Sequence, residues 1–414
     1  MKSIAVVGSG IAGIAAAWWL AREHRVVLYE ANDYPGGHVH TVPVRREHGD
    51  YEVDTGFIVF NDRTYPLFNR LLAELEIDAQ PTAMGFSVHD PEIGLEYCGD
   101  GLGGFFAQRH RWLSPTHWKL LRDILRFNRE APAWLDADPE EMRLGDLLEQ
   151  GGYGEAFRRH YLLPMASAIW SCGERDVEDF PARFFVAFFR NHGLLNLRDR
   201  PQWSVVPGGS ARYVEALLQR LDADLRLATP VRSVRRSTEA VSVRTDGGEE
   251  LFDEVVLACH SDQALALLDD ADSRETTLLS GIPYKANEVV LHTDVSLLPD
   301  NRRVWSSWNA RLSPRADNRV EVTYNMNMLQ GIDAPETFCV SLNCPDRVAP
   351  EKVLGQWRFF HPLFTPDGLA CKRELQARNG HNRTWYCGAW MGNGFHEDGV
   401  VSAATVARSL GVLE

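Results

Sequence analysis

SIAVVGSGIAGIAAAWWLAREHRVVLYEAN, residues Ser3–Asn32, is the stretch from which the architecture follows. Ile4 to Val7 is a short apolar run of the kind that forms a buried strand. Gly8, Gly10 and Gly13 then spell G-x-G-x-x-G, and an alanine-rich helix runs from Ile11 to Arg22. RVVLYE reads as a second strand that ends at Glu30, seventeen residues past the third glycine. In this context each glycine has its own role. Gly8 makes the turn, Gly10 lets backbone N–H groups approach a pyrophosphate, and Gly13 lets helix and strand pack closely. The helix start at Ile11 and Ala12 offers unpaired N–H donors and a positive dipole end to the phosphates. Glu30, followed by Ala31, can accept hydrogen bonds from the hydroxyls of an adenosine ribose and would repel a 2′-phosphate. The pattern predicts a dinucleotide site on an α/β sheet.

A second match, GDGLGG at Gly99–Gly104, lacks that context. It follows only LEYC and leads into a basic segment broken by Pro115, so it reads as a loop.

Composition sets limits on the rest. A chain of 414 residues, 44% hydrophobic and 24% charged, is long enough for two or three domains of ordinary globular composition. A net charge of −14 argues against nucleic acid as a partner. Seven cysteines without a C-x-x-C pair fit reduced thiols in a cytosolic protein, not a disulfide framework or a zinc site. A strand starting this close to Met1 leaves no room for a signal peptide. Three glycines interrupt the apolar stretch Ile4 to Leu20, which excludes a membrane span there.

After Glu30 come ANDYPGGHVHTV and YEVDTGFIVFN, and further on WSVVPGGSARYVEALLQRL, LRLATPVRSVRRS with FDEVVLACHSDQAL, and RTWYCGAWMGNGFHEDGVVSAATVA. In this order they resemble the flavin-containing amine oxidase and phytoene-desaturase superfamily. The resemblance implies FAD as cofactor and an amine-oxidase-like α/β fold of p-hydroxybenzoate-hydroxylase-type topology. A discontinuous Rossmann-like FAD-binding domain would comprise residues 1–75, 203–265 and 380–414. Residues 76–202 and 266–379 would form an inserted α+β substrate domain. It further implies that Gly36, Gly37, His38, Thr55 and Gly56 run under the pyrophosphate and flavin, that Val231 touches adenine, and that Gly388 lies in the flavin motif. His38 stands where the family commonly has Arg, and Ala389 where it often has Asp or Glu, so Asp398 is expected to take the ribityl contact.

Amine oxidases of this superfamily usually place a lysine before a V-V-L strand. In IPYKANEVVLHTD that place is held by Asn287 or Glu288, with Lys285 two or three residues away. This lowers the amine-oxidase reading.

The first insert points elsewhere. Arg109, Arg111, Lys119, Arg122, Arg126 and Arg129 cluster in FFAQRHRWLSPTHWKLLRDILRFNRE. Helical spacing puts Lys119, Arg122, Arg126 and Arg129 on one face, with Trp118, Leu121 and Leu125 covering the other beside Leu120, Ile124 and Phe127. Such a helix lies on anionic lipid, or else is an ordinary surface helix packed on its own core. The helix around Phe184, Phe185, Val186, Phe188 and Phe189 is expected to pack in a core or to line an apolar channel.

GGHVHTV, VDTGFIVFNDRTYPLF, FFAQRHRWLSPTHW, MASAIWS and NGFHEDG together resemble a bacterial group of FAD-dependent, amine-oxidase-like proteins. Its members are typically encoded beside cyclopropane-fatty-acyl-synthase-type methyltransferases, and some are implicated in furan fatty acid synthesis. This implies desaturation or isomerisation of a phospholipid acyl chain, by hydride transfer to the flavin, at the inner face of the cytoplasmic membrane, with a lipid methyltransferase as a candidate partner. Trp390 and Phe395 are the candidate aromatic walls and His396 or Glu397 the candidate proton acceptor. No metal is expected, for want of a second ligand group. Asp398 reads as the N-cap of the last helix, with Gly399 and Val400 offering backbone N–H groups to the flavin. The rival readings are an amine oxidase acting on a small hydrophobic amine and a non-catalytic flavoprotein scaffold for the methyltransferase.

Overall fold

The computed structural model describes the chain except for residues 138–141, 171–173, 197, 313–319 and 414. Six helices frame the architecture: α1 (Ile11–Leu20), α2 (Pro66–Glu74), α3 (Pro115–Ala137), α4 (Ala182–Asn191), α5 (Pro366–Arg378) and α6 (His396–Ser409).

Strand Ser3–Val7, α1 and strand Arg25–Tyr29 form the expected β-α-β unit. They belong to a five-stranded parallel sheet in the order Asp224–Arg226, Arg25–Tyr29, Ser3–Val7, Glu254–Leu257, Thr384–Tyr386. Both faces are covered, which is why these strands read as continuous apolar runs. Ile4 and Val6 pack with α1 and α6, whereas Ala5 and Val7 pack under a three-stranded antiparallel layer that starts at Val231.

A seven-stranded mixed sheet forms the second layer, in the order Val353–Pro362, Tyr284–His292, Cys339–Leu342, Glu321–Asn325, Trp308–Arg311, Phe86–Asp90, Leu95–Cys98. Strands from both inserted segments thus share one sheet. GDGLGG lies here: Leu95–Cys98 is an antiparallel edge strand, and Gly101–Phe105 forms a short helix where the sequence suggested a loop. The β-α-β context of a dinucleotide turn is absent at that place.

The face assignment of α3 needs correction. His117, Leu120, Ile124, Phe127 and Ala131 form its buried stripe. Trp118, Leu121 and Leu125 share the outward side with Arg122, Arg126 and Arg129, where they line one groove. Two hydrophobic sets merge into one in the sequence pattern, because residues one position apart differ by only about 100° around a helix. α4 is a core helix: Phe185, Val186, Phe188 and Phe189 are buried, and Phe185 stacks on Phe189 at 4.2 Å. The six described cysteines are free thiols, and Cys172 lies outside the described residues. Among the described residues no helix is long and apolar enough to cross a membrane.

Candidate flavin site

The glycine turn has the local geometry its spacing requires. A Cβ at Gly13 would fall 1.8 Å from the Gly8 carbonyl oxygen, so helix and strand meet there without space for a side chain. A Cβ at Gly10 would meet nothing within 4 Å. Gly10 is also the N-cap of α1, and no side chain caps that helix. A Cβ at Gly37 would lie 3.0 Å from Gly10 Cα, which brings the Gly36-Gly37 loop onto the same turn. Open space, free first-turn N–H groups and the dipole end of α1 fit a pyrophosphate.

Glu30 is held more firmly than the motif alone implies. Its Oε2 accepts from the Ser9 N–H at 2.9 Å and the Ser9 hydroxyl at 2.6 Å; its Oε1 accepts from the Asn32 N–H at 2.9 Å and Nδ2 at 3.0 Å. The two backbone donors fix the carboxylate, and ribose hydroxyls would take the places of the two rotatable side-chain donors. The Thr229 N–H donates to the Glu30 carbonyl at 2.8 Å, so the approach to Val231 runs alongside. Val231 itself is buried, whereas Ala31 is exposed.

The last motif departs most from expectation. Helix α6 begins at His396, so its N-cap is Phe395, not Asp398. Asp398 occupies the third helical position, and its Oδ2 accepts from the Phe395 N–H at 2.9 Å, which is the back-reach of a capping box. Gly399 lies where α6 crosses α1: a Cβ there would sit 2.7 Å from Ile11 Cγ2. Its N–H already donates to the Phe395 carbonyl at 3.3 Å, and Val400 is fully buried. Both residues thus serve the packing of α6 on α1 and its core. Gly388 donates its N–H to the Ser402 hydroxyl at 2.9 Å.

Neither expected proton acceptor is free. His396 stacks on Phe57 at 3.6 Å, and its Nε2 bonds the Tyr213 hydroxyl at 2.7 Å. Burial holds its pKa well below the usual imidazole value, so it is a neutral core residue. The Glu397 oxygens accept from the N–H groups of Leu67 and Phe68, both at 2.9 Å. It caps α2, a helix that its own N-cap residue Tyr65 leaves without a side-chain cap. Burial pushes the Glu397 carboxyl up to about 7 and that of Asp398 to about 6, against backbone hydrogen bonds that lower both. A folded-state value above the ordinary 4.5 or 3.8 means the folded protein holds protons that the unfolded chain has released. The stability these groups contribute is present below about pH 4 and is lost as pH rises through 6 to 7. The thermal midpoint should fall across that window in wild type and fall less in Glu397→Gln; an equally steep profile in the variant would exclude Glu397 as a source.

Trp390 and Phe395 do not form one wall. Trp390 is buried beneath the parallel sheet and donates Nε1–H to the Cys259 carbonyl at 3.0 Å. Phe395 points the other way, stacking on Phe188 of α4 at 4.8 Å beside His192. A Cβ at neighbouring Gly394 would lie 3.2 Å from Phe364, which stacks on Phe184 at 4.9 Å.

Another group of ionisable side chains stands at the junction of the two sheets. The His38 ring lies 5.3 Å from His361, 6.1 Å from His260 and 5.1 Å from Phe359. Its Nε2 is buried without a partner. Burial first, then the neighbouring imidazoles, lower His38 to about 3 and His361 to about 4, so both are neutral near pH 7. His361 Nδ1 pairs with Asn287 Nδ2 at 2.9 Å, and Asn287 Oδ1 accepts from Asn343 at 2.8 Å. Asn287 is fully buried and Glu288 faces Arg358 outside, so Asn287 holds the place before the V-V-L strand. Lys285 is ion-paired with Asp176. His260 and His361 had no spacing signal, because one caps a helix and the other lies on a strand, and separate segments share no sequence period.

Two sheets with a dinucleotide turn at the carboxyl ends of the parallel one define a dinucleotide-binding α/β protein. The chain belongs to the flavin-containing amine oxidoreductase family, which matches residues 11–354, and its cofactor is FAD. A carotenoid phi-ring synthase of Streptomyces griseus is 31% identical over 284 residues, covering 63% of this chain and 52% of that protein. Amine oxidase A of Canis lupus familiaris is 27% identical over 266 residues, 59% of this chain and 47% of that one. The chain spans about half the length of the curated relatives it matches. Among solved structures, the CLA-producing fatty acid isomerase from P. acnes shares the fold, with a TM-score of 0.69 at 16% identity over 98% of each chain.

Proposed function

We propose that the protein desaturates or isomerises a carbon–carbon bond in an unsaturated fatty acyl chain of a membrane phospholipid. The observation that carries this reading is the surrounding of Phe395. The flavin motif presents this ring to Phe188, with Phe184 and Phe364 stacked beside it. Such a layer suits an apolar chain and excludes water, and aromatic faces tolerate developing positive charge without adding a nucleophile. Asn287 in the lysine's place is a second support, since it argues against the amine-oxidase arrangement. A relative named for a carotenoid ring and a fold neighbour named for a fatty acid isomerase are compatible with it.

Bound FAD supplies the two-electron acceptor for a hydride taken from an allylic carbon. The second hydrogen leaves as a proton, for which His396 and Glu397 are already committed elsewhere. His361 is committed as well: its Nδ1 accepts from Asn287 Nδ2, and Asn287 Oδ1 is taken by Asn343, so in the neutral ring Nε2 carries the proton. A desaturation therefore sends this proton to solvent, and an isomerisation returns hydrogen to the acyl chain.

The test is anaerobic reduction of the holoprotein by unsaturated phospholipid, with mass spectrometry of lipids from cells with and without the protein. The expected result is flavin bleaching or a shifted double bond. Unchanged acyl chains in both settings, or steady peroxide formation with amines instead, would overturn the reading.

A further inference from the structure

We infer that the tip formed by residues 109–113 and the outward side of α3 are the face on which the protein docks to an anionic phospholipid surface. The inference deepens the acyl-chain reading and rests on it for its purpose, since it says how such a substrate would be reached. Its observations are separate from that reading.

The exposed apolar side chains here are large and close together. Leu113 is 88% exposed, Trp112 46%, Trp118 43% and Leu125 43%. They are not loosely held. Trp112 stacks on buried Phe106 at 4.2 Å, Trp118 packs on the same ring at 4.7 Å, and the Trp118 indole N–H donates to the Trp112 carbonyl at 2.9 Å. This aromatic bracket presents Leu113 and both indoles in a fixed arrangement. Ordering them on a lipid surface therefore costs little side-chain entropy. Tryptophan favours the headgroup boundary, where one end of the ring is wet and the other apolar.

Cations surround this tip. Arg109, Lys119, Arg122 and Arg129 are exposed, and the guanidinium groups of Arg122 and Arg129 are the most open of the α3 pairs. Acidic charge is sparse on this side. Asp123 is buried and takes the Gly154 N–H, and Glu130 sits between Arg126 and Arg129. On a chain of net charge −14, such a basic face stands apart from the rest of the surface and is complementary to an anionic one. Trp118, Leu121, Arg122, Leu125, Arg126 and Arg129 line a groove of about 480 Å³, in which apolar and cationic side chains alternate. That alternation matches a lipid, whose phosphate and acyl chain are neighbours.

The face and the flavin motif share one hydrophobic cluster. Leu121 packs against the hydrophobic cluster that holds Leu120, Ile124 and Phe127 of α3 and Phe185 and Phe188 of α4. Phe395 packs against the same cluster, through Phe188.

Co-sedimentation of the FAD-loaded protein with vesicles tests this directly. Vesicles of phosphatidylglycerol in phosphatidylethanolamine should retain the protein, and phosphatidylcholine vesicles should not. Leu113→Glu with Trp112→Ala should weaken retention at least tenfold. Arg122→Gln with Arg129→Gln should weaken it comparably and flatten its salt dependence. All four positions are exposed and lie outside the flavin motif, so flavin absorbance should stay at the wild-type value; the thermal midpoint should stay there in the arginine pair and drop only slightly where Trp112 leaves its stack on Phe106. Failure to bind anionic vesicles at low salt, equal binding to phosphatidylcholine, or binding unchanged in both variants would overturn the inference. The same holds if this face engages a protein while vesicles are ignored. Vesicle binding with unaltered acyl chains would leave the docking face standing and remove the proposed reaction instead.

Discussion

Gly10→Ala should yield a folded protein that no longer holds FAD. A Cβ at Gly10 meets nothing within 4 Å, and the backbone there (φ −64°, ψ 174°) is one that alanine adopts without strain. The apo fold therefore has no reason to change. The methyl group would instead occupy the space through which a pyrophosphate must approach the free N–H groups of α1. Loss of that approach should weaken FAD binding at least 100-fold, about 2.7 kcal/mol. The variant should purify colourless, with an apo-state thermal midpoint within a degree or so of apo wild type. Gly13→Ala makes the contrasting case. Its Cβ would fall 1.8 Å from the Gly8 carbonyl oxygen, so the helix must move off the strand and the apo fold itself should weaken. Equal flavin content in Gly10→Ala and wild type would remove the pyrophosphate from this turn.

How far the fold and the site can be read from the residues depends on the range of the forces involved. The β-α-β unit is local: three glycines, an alanine-rich helix and a buried strand fall within about thirty residues, and each is fixed by its neighbours in sequence. The roles of His396, Glu397 and Asp398 could not be read in this way. Glu397 caps a helix more than three hundred positions away, and His396 is held by Phe57 and Tyr213 from two other segments. The residue types are compatible with acid–base chemistry, and only the tertiary partners show that their donors and acceptors are spent. The cap at Asp398 misleads for a smaller reason. An aspartate two residues past the helix start serves a capping box as well as an aspartate at the cap serves N–H donors directly, and spacing alone does not separate the two. On α3 the helical period is right, but two hydrophobic sets one position apart merge into one face. The histidines at the sheet junction come from Gly37-His38, Cys259-His260 and Phe360-His361, three places with no common motif. Each is visible as a residue and none as a member of a group.

The largest effect on stability is expected at Glu275. Arg236 donates Nη1–H to Glu275 Oε1 at 2.7 Å and Nη2–H to Oε2 at 2.8 Å, a two-pronged pair whose side chains are 1% and 3% exposed. The Arg236 Nε–H donates to Asp270 at 3.0 Å, and the Tyr386 hydroxyl donates to Glu275 Oε1 at 3.0 Å. Three layers meet at these two side chains: the antiparallel strand Val231–Arg236, the helix Ser273–Ser280, and the edge strand Thr384–Tyr386. Glu275→Ala leaves a buried guanidinium with only Asp270 as a counter-charge and should cost about 3–5 kcal/mol. The thermal midpoint should drop by roughly 5–10 °C. A double variant, Arg236→Met with Glu275→Leu, should recover much of that loss, because the cost lies in the stranded charge more than in the missing pair. The edge strand leads directly into Gly388 and α6, so FAD should also leave Glu275→Ala faster than wild type at temperatures where the fold persists. A double variant no more stable than Glu275→Ala would mean that the pair itself, and not the unpaired arginine, holds the three layers together.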